Sequence, residues 1–174
     1  MDDFYPHILS QENHAHHVEN YLTIIEKINM KNDPLAIEIA SFILGPIENN
    51  TFLVTDPASN EAVVIDPSFD IQPLIDHIRQ RELKIKSILI THAHFDHIAG
   101  VNPLLAVLPV KPQLVLHKDD FLLWKDRGEA RQCGFQLDPL PNPDHFTQDG
   151  EIFTIGSFEL VVHHTPGHSP GHVV

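Results

Sequence analysis

The stretch Thr91-His92-Ala93-His94-Phe95-Asp96-His97 follows the mainly apolar residues 85–90 and places three imidazoles and a carboxylate in six consecutive positions. Side chains at i and i+2 of a strand point to the same side, so His92 and His94 would lie together. Two neutral imidazoles, a third protein ligand and a water form the ligand set of a catalytic zinc site. Asp96 and His97 then face another direction, which indicates a second metal ion. The alternative, a polar loop, is less favoured because these residue types rarely cluster so closely.

The His-x-His-x-Asp-His block, with Ile98-Ala99-Gly100 after it, resembles the signature of the metallo-β-lactamase fold superfamily. A second block over residues 164–172, of sequence HTPGHSPGH, is similar to the loop that carries the family's third histidine. The resemblance implies that His168 completes the His92 and His94 set. Smaller blocks at residues 45–50, 63–67 and 149–156 resemble the glyoxalase-type branch, which includes hydroxyacylglutathione hydrolases. The resemblance covers about residues 36–174.

The resemblance implies an α/β (α+β) fold, the family's αββα sandwich with metals at one edge, of which mainly the first half is present. In the family, later strands supply an aspartate that bridges the metals and a further histidine. The sequence ends at Val174 without them, and the domain is interpreted as C-terminally incomplete: a fragment, a frameshifted product or half of a split protein. An uncovered apolar face is therefore expected, with a second copy or a complementing C-terminal half as partner.

The implied activity is metal-dependent hydrolysis of a small-molecule thiolester, in which Asp96 orients a water molecule and accepts its proton. A non-catalytic metal-binding fragment is the alternative. Zinc is the expected cofactor, with one or two ions bound, although iron or manganese can use the same ligands. Similar ligand blocks serve several hydrolytic chemistries, so the substrate is not encoded in them.

Several assignments near the two blocks have alternatives. Asp96 also suits a helix N-cap. Asp66 suits a hydrogen bond to a ligand imidazole or a turn equally well. His172 is interpreted as a polar residue beside the site rather than a ligand.

Of His163 and His164, at most one can approach the metal. No role is assigned to His117 or His145, and Trp124 is expected in the core.

Length, composition and charge restrict the class of protein. The chain has 174 residues, 42% of them hydrophobic, which suits one domain with a real core. A net charge of −13 argues against a nucleic-acid surface. Cys133 is the single cysteine, which excludes an intramolecular disulfide. No signal peptide and no apolar run of membrane-spanning length is recognised, so a cytoplasmic protein is expected.

The pattern predicts an N-terminal extension over residues 1–34 and a domain over residues 35–174. The extension contains a helix over residues 11–30, closed by Asp33-Pro34, and its histidines at positions 14, 16 and 17 are interpreted as a solvated face. The strands predicted for the domain span residues 36–44, 51–55, 62–65, 86–91 and 113–117. Helices are predicted over residues 71–82, 98–108 and 119–125, and a surface loop over residues 126–148. A final hairpin of residues 151–155 and 158–163 turns at Gly156-Ser157.

Overall fold

The computed structural model describes residues 37–174. The helix predicted over residues 11–30, its end at Asp33-Pro34 and the three nearby histidines lie outside the described residues. The division of the chain at residue 34 therefore stays a prediction.

A six-stranded mixed sheet forms the centre of the described part of the chain. Its strands are β1 (Glu38–Leu44), β2 (Asn49–Asp56), β3 (Glu61–Ile65), β4 (Lys84–Leu89), β5 (Gln113–His117) and β6 (His145–Thr147), adjacent in that order. The first three strands pair antiparallel, and β3 to β6 pair in parallel. Strands β7 (Ile152–Ile155) and β8 (Phe158–Val161) form a separate antiparallel hairpin.

The helices connect the parallel strands, as parallel pairing requires. They are α1 (Gln72–Gln80), α2 (Phe95–Ile98), α3 (Val101–Val107) and α4 (Phe121–Lys125), with a 3₁₀ turn at Lys118–Asp120. Helix α1 buries Leu74, Ile75 and Ile78, which recur at helical spacing. These helices pack on one face of the sheet in a single core that includes Leu53, Ile88 and Leu114. Trp124 belongs to this core, as predicted, and its ring N–H donates to the carbonyl of Pro141.

Most predicted elements are confirmed to within a few residues, but two expectations are wrong. The helix predicted to begin at Ile98 begins at Val101 as α3, because Ile98 ends the separate helix α2 and the Gly100 N–H between them donates to the carbonyl of Pro67. The loop predicted over residues 126–148 contains β6. Asp144 fixes this short strand beside β5, since its backbone N–H donates to Leu114 and its carboxylate accepts from the Leu114 N–H.

The other face of the sheet is only partly covered. The β7–β8 hairpin packs Ile155 against Val54 and Val63. On the same face, Ile39 and Ile43 of β1 remain nearly half exposed. This agrees with the expectation of an uncovered apolar area, whose partner stays a prediction. Within residues 37–174, no helix has the length and apolar character needed to cross a membrane.

Candidate metal centre

Three parallel strands end at the same edge of the sheet, and the polar segments that follow them meet there. Asp66 follows β3, the segment from Thr91 to His97 follows β4, and Asp120 follows β5. Because the carboxyl ends of parallel strands share an edge, this is where a binding site is expected in an α/β sheet.

The ring nitrogens of His92, His94 and His168 converge at this edge. Nε2 of His168 lies 3.1 Å from Nε2 of His92 and 3.0 Å from Nδ1 of His94. Nitrogens that bind one zinc ion tetrahedrally, each about 2.0–2.1 Å from the metal, lie about 3.3 Å apart. The three histidines are therefore spaced as the ligands of a single ion.

Their surroundings keep two of these imidazoles neutral. Burial and the neighbouring imidazoles, His97 first among them, lower the pKa of His92 to about 2. Burial, followed by the electrostatic effect of the neighbouring His168, also lowers the pKa of His94. A neutral imidazole has a free lone pair, which is the form that binds a metal ion.

Helix α2 carries Asp96 and His97 next to this triad. Nε2 of His97 lies 3.4 Å from Oδ2 of Asp96, and the rings of His97 and His92 are 3.9 Å apart. The N-cap of α2 is His94, so the alternative that Asp96 caps this helix is wrong. Asp96 and His97 do not belong to the three-histidine group but lie beside it.

Asp66 orients two imidazoles through one buried carboxylate. Its Oδ2 lies 2.9 Å from Nδ1 of His97 and accepts the Thr91 hydroxyl at 2.6 Å. Oγ1 of Thr91 is in turn 3.1 Å from Nδ1 of His92. With the Nδ1 protons held in this way, Nε2 of both histidines is free for a ligand, as in metalloprotein sites whose ligand histidines donate to a carboxylate. Burial alone would lower the pKa of His97, but the hydrogen bond to Asp66 and the charges of Asp66 and Asp96 raise it.

The backbone of the first histidine block is fixed from several directions. The Asn49 side chain donates to the carbonyl of Asp96. The Gly128 carbonyl accepts from the Phe95 N–H at 3.0 Å. Gly128 has a φ of +63°, and a Cβ there would lie 2.3 Å from the Phe95 nitrogen. Only glycine fits this close approach. The prediction that His92 and His94 lie on the strand itself is wrong, because β4 ends at Leu89; the two rings still converge from the loop.

Hydrogen bonds near the end of the chain hold the second block, residues 164–172, against the first histidine block. The Val173 N–H donates to the Thr91 carbonyl, and His164 bridges to Val173. Asp120, which has no exposed surface, accepts hydrogen bonds from Ala93, Ser169 and Gly171. These contacts bring His168 to the edge that bears His92 and His94.

The remaining histidines are placed around the site. The His172 ring is 5.3 Å from that of His92, and its Nδ1 is 2.8 Å from Oγ1 of Thr165. His164 stacks on His117 at 4.1 Å, and its Nε2 is 3.0 Å from the Pro170 carbonyl oxygen. Nε2 of His145 is 2.6 Å from Oε1 of Glu151. His117 and His145, to which the sequence assigned no role, therefore each have a partner in the structure.

His117, Asp119 and His164 also bring ligand atoms close together. The His117 and His164 rings are only 16° from parallel. Lone pairs lie in the ring planes, so two stacked imidazoles are poorly directed at a common ion. This cluster is a stacked pair that supports the second block rather than a ligand set.

A cavity of about 870 Å³ lies beside the segment that follows β4. Phe135 forms part of its wall and stacks on Phe95, which directly follows His94. Arg127 and Arg131 also line it, and within residues 37–174 neither forms an ion pair with a carboxylate. The cavity therefore combines an aromatic wall with two arginines and one carboxylate, Asp138.

Sequence reasoning missed several residues of this centre, above all Asp120, Asn49 and Gly128. Asp120 gave a weak signal as one of two acidic residues directly after a predicted strand. Asn49 and Gly128 act through backbone contacts with distant residues, for which the sequence holds no local signal.

Comparisons with known proteins identify the family. Residues 44–174 match the family described as the metallo-beta-lactamase superfamily. The chain belongs to this superfamily, and the predicted family and fold class are thereby confirmed. It is similar to the hydroxyacylglutathione hydrolase GloC of Haemophilus influenzae, with 34% identity over 132 residues that cover 72% of this chain and 59% of that protein. It is also similar to the probable metallo-hydrolase YqgX of Bacillus subtilis, with 32% identity over 133 residues that cover 75% and 61%.

Solved structures give the same result. The BLEG-1 B3 metallo-beta-lactamase superimposes with a TM-score of 0.69 at 34% identity, over 78% of this chain and 65% of that one. TTHA1623 in a di-iron-bound form superimposes with a TM-score of 0.64 at 35% identity, over 75% and 63%. The chain thus spans less than two thirds of the length of these relatives.

Proposed function

We propose that this chain carries the metal centre of a thiolester hydrolase, with His92, His94 and His168 as ligands of one divalent ion and Asp96 and His97 as ligands of a second. The position of His168 Nε2, 3.1 Å from a ring nitrogen of His92 and 3.0 Å from one of His94, carries this proposal. The hydroxyacylglutathione hydrolases among its relatives support the thiolester class.

The donor set fits zinc, since three imidazoles with an open fourth position are typical of a catalytic zinc site. The ion would lower the pKa of a water molecule towards neutrality and polarise the carbonyl under attack. Iron and manganese accept the same donors, and one structural relative was solved in a di-iron-bound form.

The protein residues contribute orientation and proton transfer. Asp66 holds His97 by its Nδ1 and, through Thr91, His92 by its Nδ1. Asp96 is the carboxylate next to the histidines that can orient the attacking water and accept its proton. Its side chain is 18% exposed, which leaves it accessible to a small substrate.

The cavity beside the loop is our candidate for binding the part of the substrate that does not react. Phe69 and Phe135 supply an apolar wall, while Arg127 and Arg131 supply positive charge. This combination suits a thiol or acyl group that bears a carboxylate, such as the glutathione portion of a hydroxyacyl thiolester.

The test is whether the zinc-loaded chain hydrolyses a hydroxyacyl-glutathione thiolester. The reaction is monitored through the free thiol that it releases. We expect turnover in the unaltered chain and its loss in His94→Ala. His163→Ala is the matched control, since His163 is exposed, directly precedes the block that carries His168 and does not belong to the triad. A loss in both variants, or in neither, would contradict the proposed site.

A non-catalytic metal-binding role is the second candidate. Among the described residues, Asp96 and His97 are the ligands available to the second ion, besides the three-histidine group. Elemental analysis separates the two functions. Two equivalents of metal per chain with turnover favour the hydrolase, whereas one equivalent without turnover favours the binding role.

A further inference from the structure

Asp120 is a carboxylate without exposed surface, at the end of the 3₁₀ turn Lys118–Asp120 that follows β5. It binds both metal-ligand segments at once. Oδ2 accepts the Ala93 N–H at 2.9 Å and the Ser169 hydroxyl at 2.8 Å, while Oδ1 accepts the Gly171 N–H at 2.6 Å. Ala93 stands between His92 and His94, and Ser169 follows His168 directly.

We propose that Asp120 is a positioning residue of the metal centre, which fixes the distance between the His92–His94 segment and the loop bearing His168. This inference rests on the proposed function of the three histidines as ligands. Two segments that are more than 70 residues apart are joined by one side chain. Ligand nitrogens that are already correctly spaced bind an ion without the entropic cost of ordering a loop.

The loop itself is packed tightly against Asp120. A Cβ at Gly171 would lie 2.7 Å from the Asp120 nitrogen and 2.9 Å from its Cβ. On the other side, His164 approaches the Pro170 carbonyl with Nε2 and stacks on His117. The segment from Ser169 to Gly171 is therefore held from two sides, and His168 at its start is held with it.

The chemistry of the contacts requires a carboxylate. All three partners are donors, and an ionised carboxylate only accepts. An amide at this position would place one N–H₂ group against an N–H or O–H donor, in a site without water access. Asp120→Asn therefore keeps the volume of the side chain and breaks the contact between the two segments.

Asp56 offers a matched control at the opposite edge of the sheet. It is equally a buried carboxylate, and it accepts from two backbone N–H groups, of Ala58 and Ser157, and from the Ser59 hydroxyl. It pairs with Glu61 at the start of β3, whereas the metal centre lies beyond the end of β3. Asp56→Asn thus removes a comparable set of bonds without touching a metal-ligand segment.

The experiment measures zinc affinity by competition with a chelator, and the absorption spectrum of the cobalt-substituted chain. We expect Asp120→Asn to weaken zinc binding by about 10- to 100-fold and to change the visible cobalt bands. Asp56→Asn should leave the zinc affinity within about twofold and the spectrum unchanged, although we expect thermal unfolding to show that both variants are destabilised. If Asp120→Asn does not fold, Ser169→Ala removes a single bond of the same set and should weaken binding by about threefold to tenfold.

The outcomes separate this inference from the proposed function. Unaltered zinc affinity in Asp120→Asn, or an equal loss in Asp56→Asn, would overturn the positioning role while the metal centre stands. An unaltered chain that binds no zinc would overturn the proposed metal centre, and the role of Asp120 with it.

Discussion

His168 Nε2 lies 3.1 Å from His92 Nε2, although 76 residues separate the two along the chain. The two imidazoles are held by different parts of the fold. His92 is fixed by the end of β4 and by Thr91, while His168 belongs to a loop bound to Asp120. Their contact therefore depends on the folded edge of the sheet, and substitutions in either of the two segments can test it.

The triad should lose its ion when His168 is removed. We expect His168→Ala to reduce zinc affinity by at least about 100-fold, since a site with two imidazoles lacks the three protein ligands of catalytic zinc. His163→Ala, five residues earlier and exposed, should bind zinc as the unaltered chain does. Isothermal titration with zinc measures both. Equal affinities for the two variants would contradict the assignment of His168.

Asp66 should control the protonation of His97. The pKa of His97 is raised through Asp66, and we expect Asp66→Asn to lower it in the metal-free chain. A raised pKa stabilises the fold most at pH values below the ordinary imidazole pKa of 6.5, and this contribution is lost as the pH rises through the folded pKa. His92, with a pKa of about 2, stays neutral throughout this range.

The stability difference between the unaltered chain and Asp66→Asn should therefore be larger at pH 6 than at pH 9. Part of the loss is independent of pH, about 1–3 kcal/mol, because Thr91 also loses its acceptor. NMR titration of the ring protons and urea unfolding at both pH values are the measurements. Asp70→Asn, on an exposed neighbour, should change neither quantity. A constant difference across the pH range would be evidence against the pairing.

Gly128 should tolerate no side chain. A Cβ there would lie 2.5 Å from the Ala93 carbonyl oxygen and 2.6 Å from the His94 carbonyl carbon, so Gly128→Ala must displace the ligand segment. Gly134 has a similar positive φ of 83° but nothing within 4 Å of its Cβ position. Gly134→Ala should cost about 1–2 kcal/mol from backbone strain alone.

We expect Gly128→Ala to cost at least about 3 kcal/mol, because overpacking adds to the same strain. It should also weaken zinc binding, which Gly134→Ala should not. Chemical denaturation and zinc titration check both values. Similar losses of stability in the two variants would mean that the contact with the ligand segment has no energetic consequence.

The arginines of the cavity should select for charge in the substrate. We expect Arg131→Gln to raise the KM for a thiolester that bears carboxylates by about two- to fivefold, as for loss of an exposed ion pair. The KM for an uncharged thiolester of similar size should stay constant. Arg79→Gln, on the exposed face of α1, is the control. An equal rise in KM for both substrates would mean that the anionic group of the substrate binds outside this cavity.

The predicted ligand residues were recognisable because their spacing is short. His92, His94, Asp96 and His97 lie within one loop and the following helical turn, so the local pattern carried the information. Local sequence patterns likewise predicted α1 and the two-residue turn of the β7–β8 hairpin, where Ile155 pairs with Phe158. Strand β6 was not predicted, because a strand of three residues after a proline-rich stretch shows no periodicity. Its pairing with β5 depends on the hydrogen bonds between Asp144 and Leu114.

The sequence by itself determined the types of candidate ligand and the order of the strands and helices, since these follow from residue chemistry and from short-range periodicity. Only the tertiary structure decided that β3, β4 and β5 end at one edge, and that Asp66, Asp120 and Gly128 bind the ligand segments there. Distances between residues far apart in the chain depend on parallel pairing and on packed buried contacts. Spacing along the sequence does not specify them.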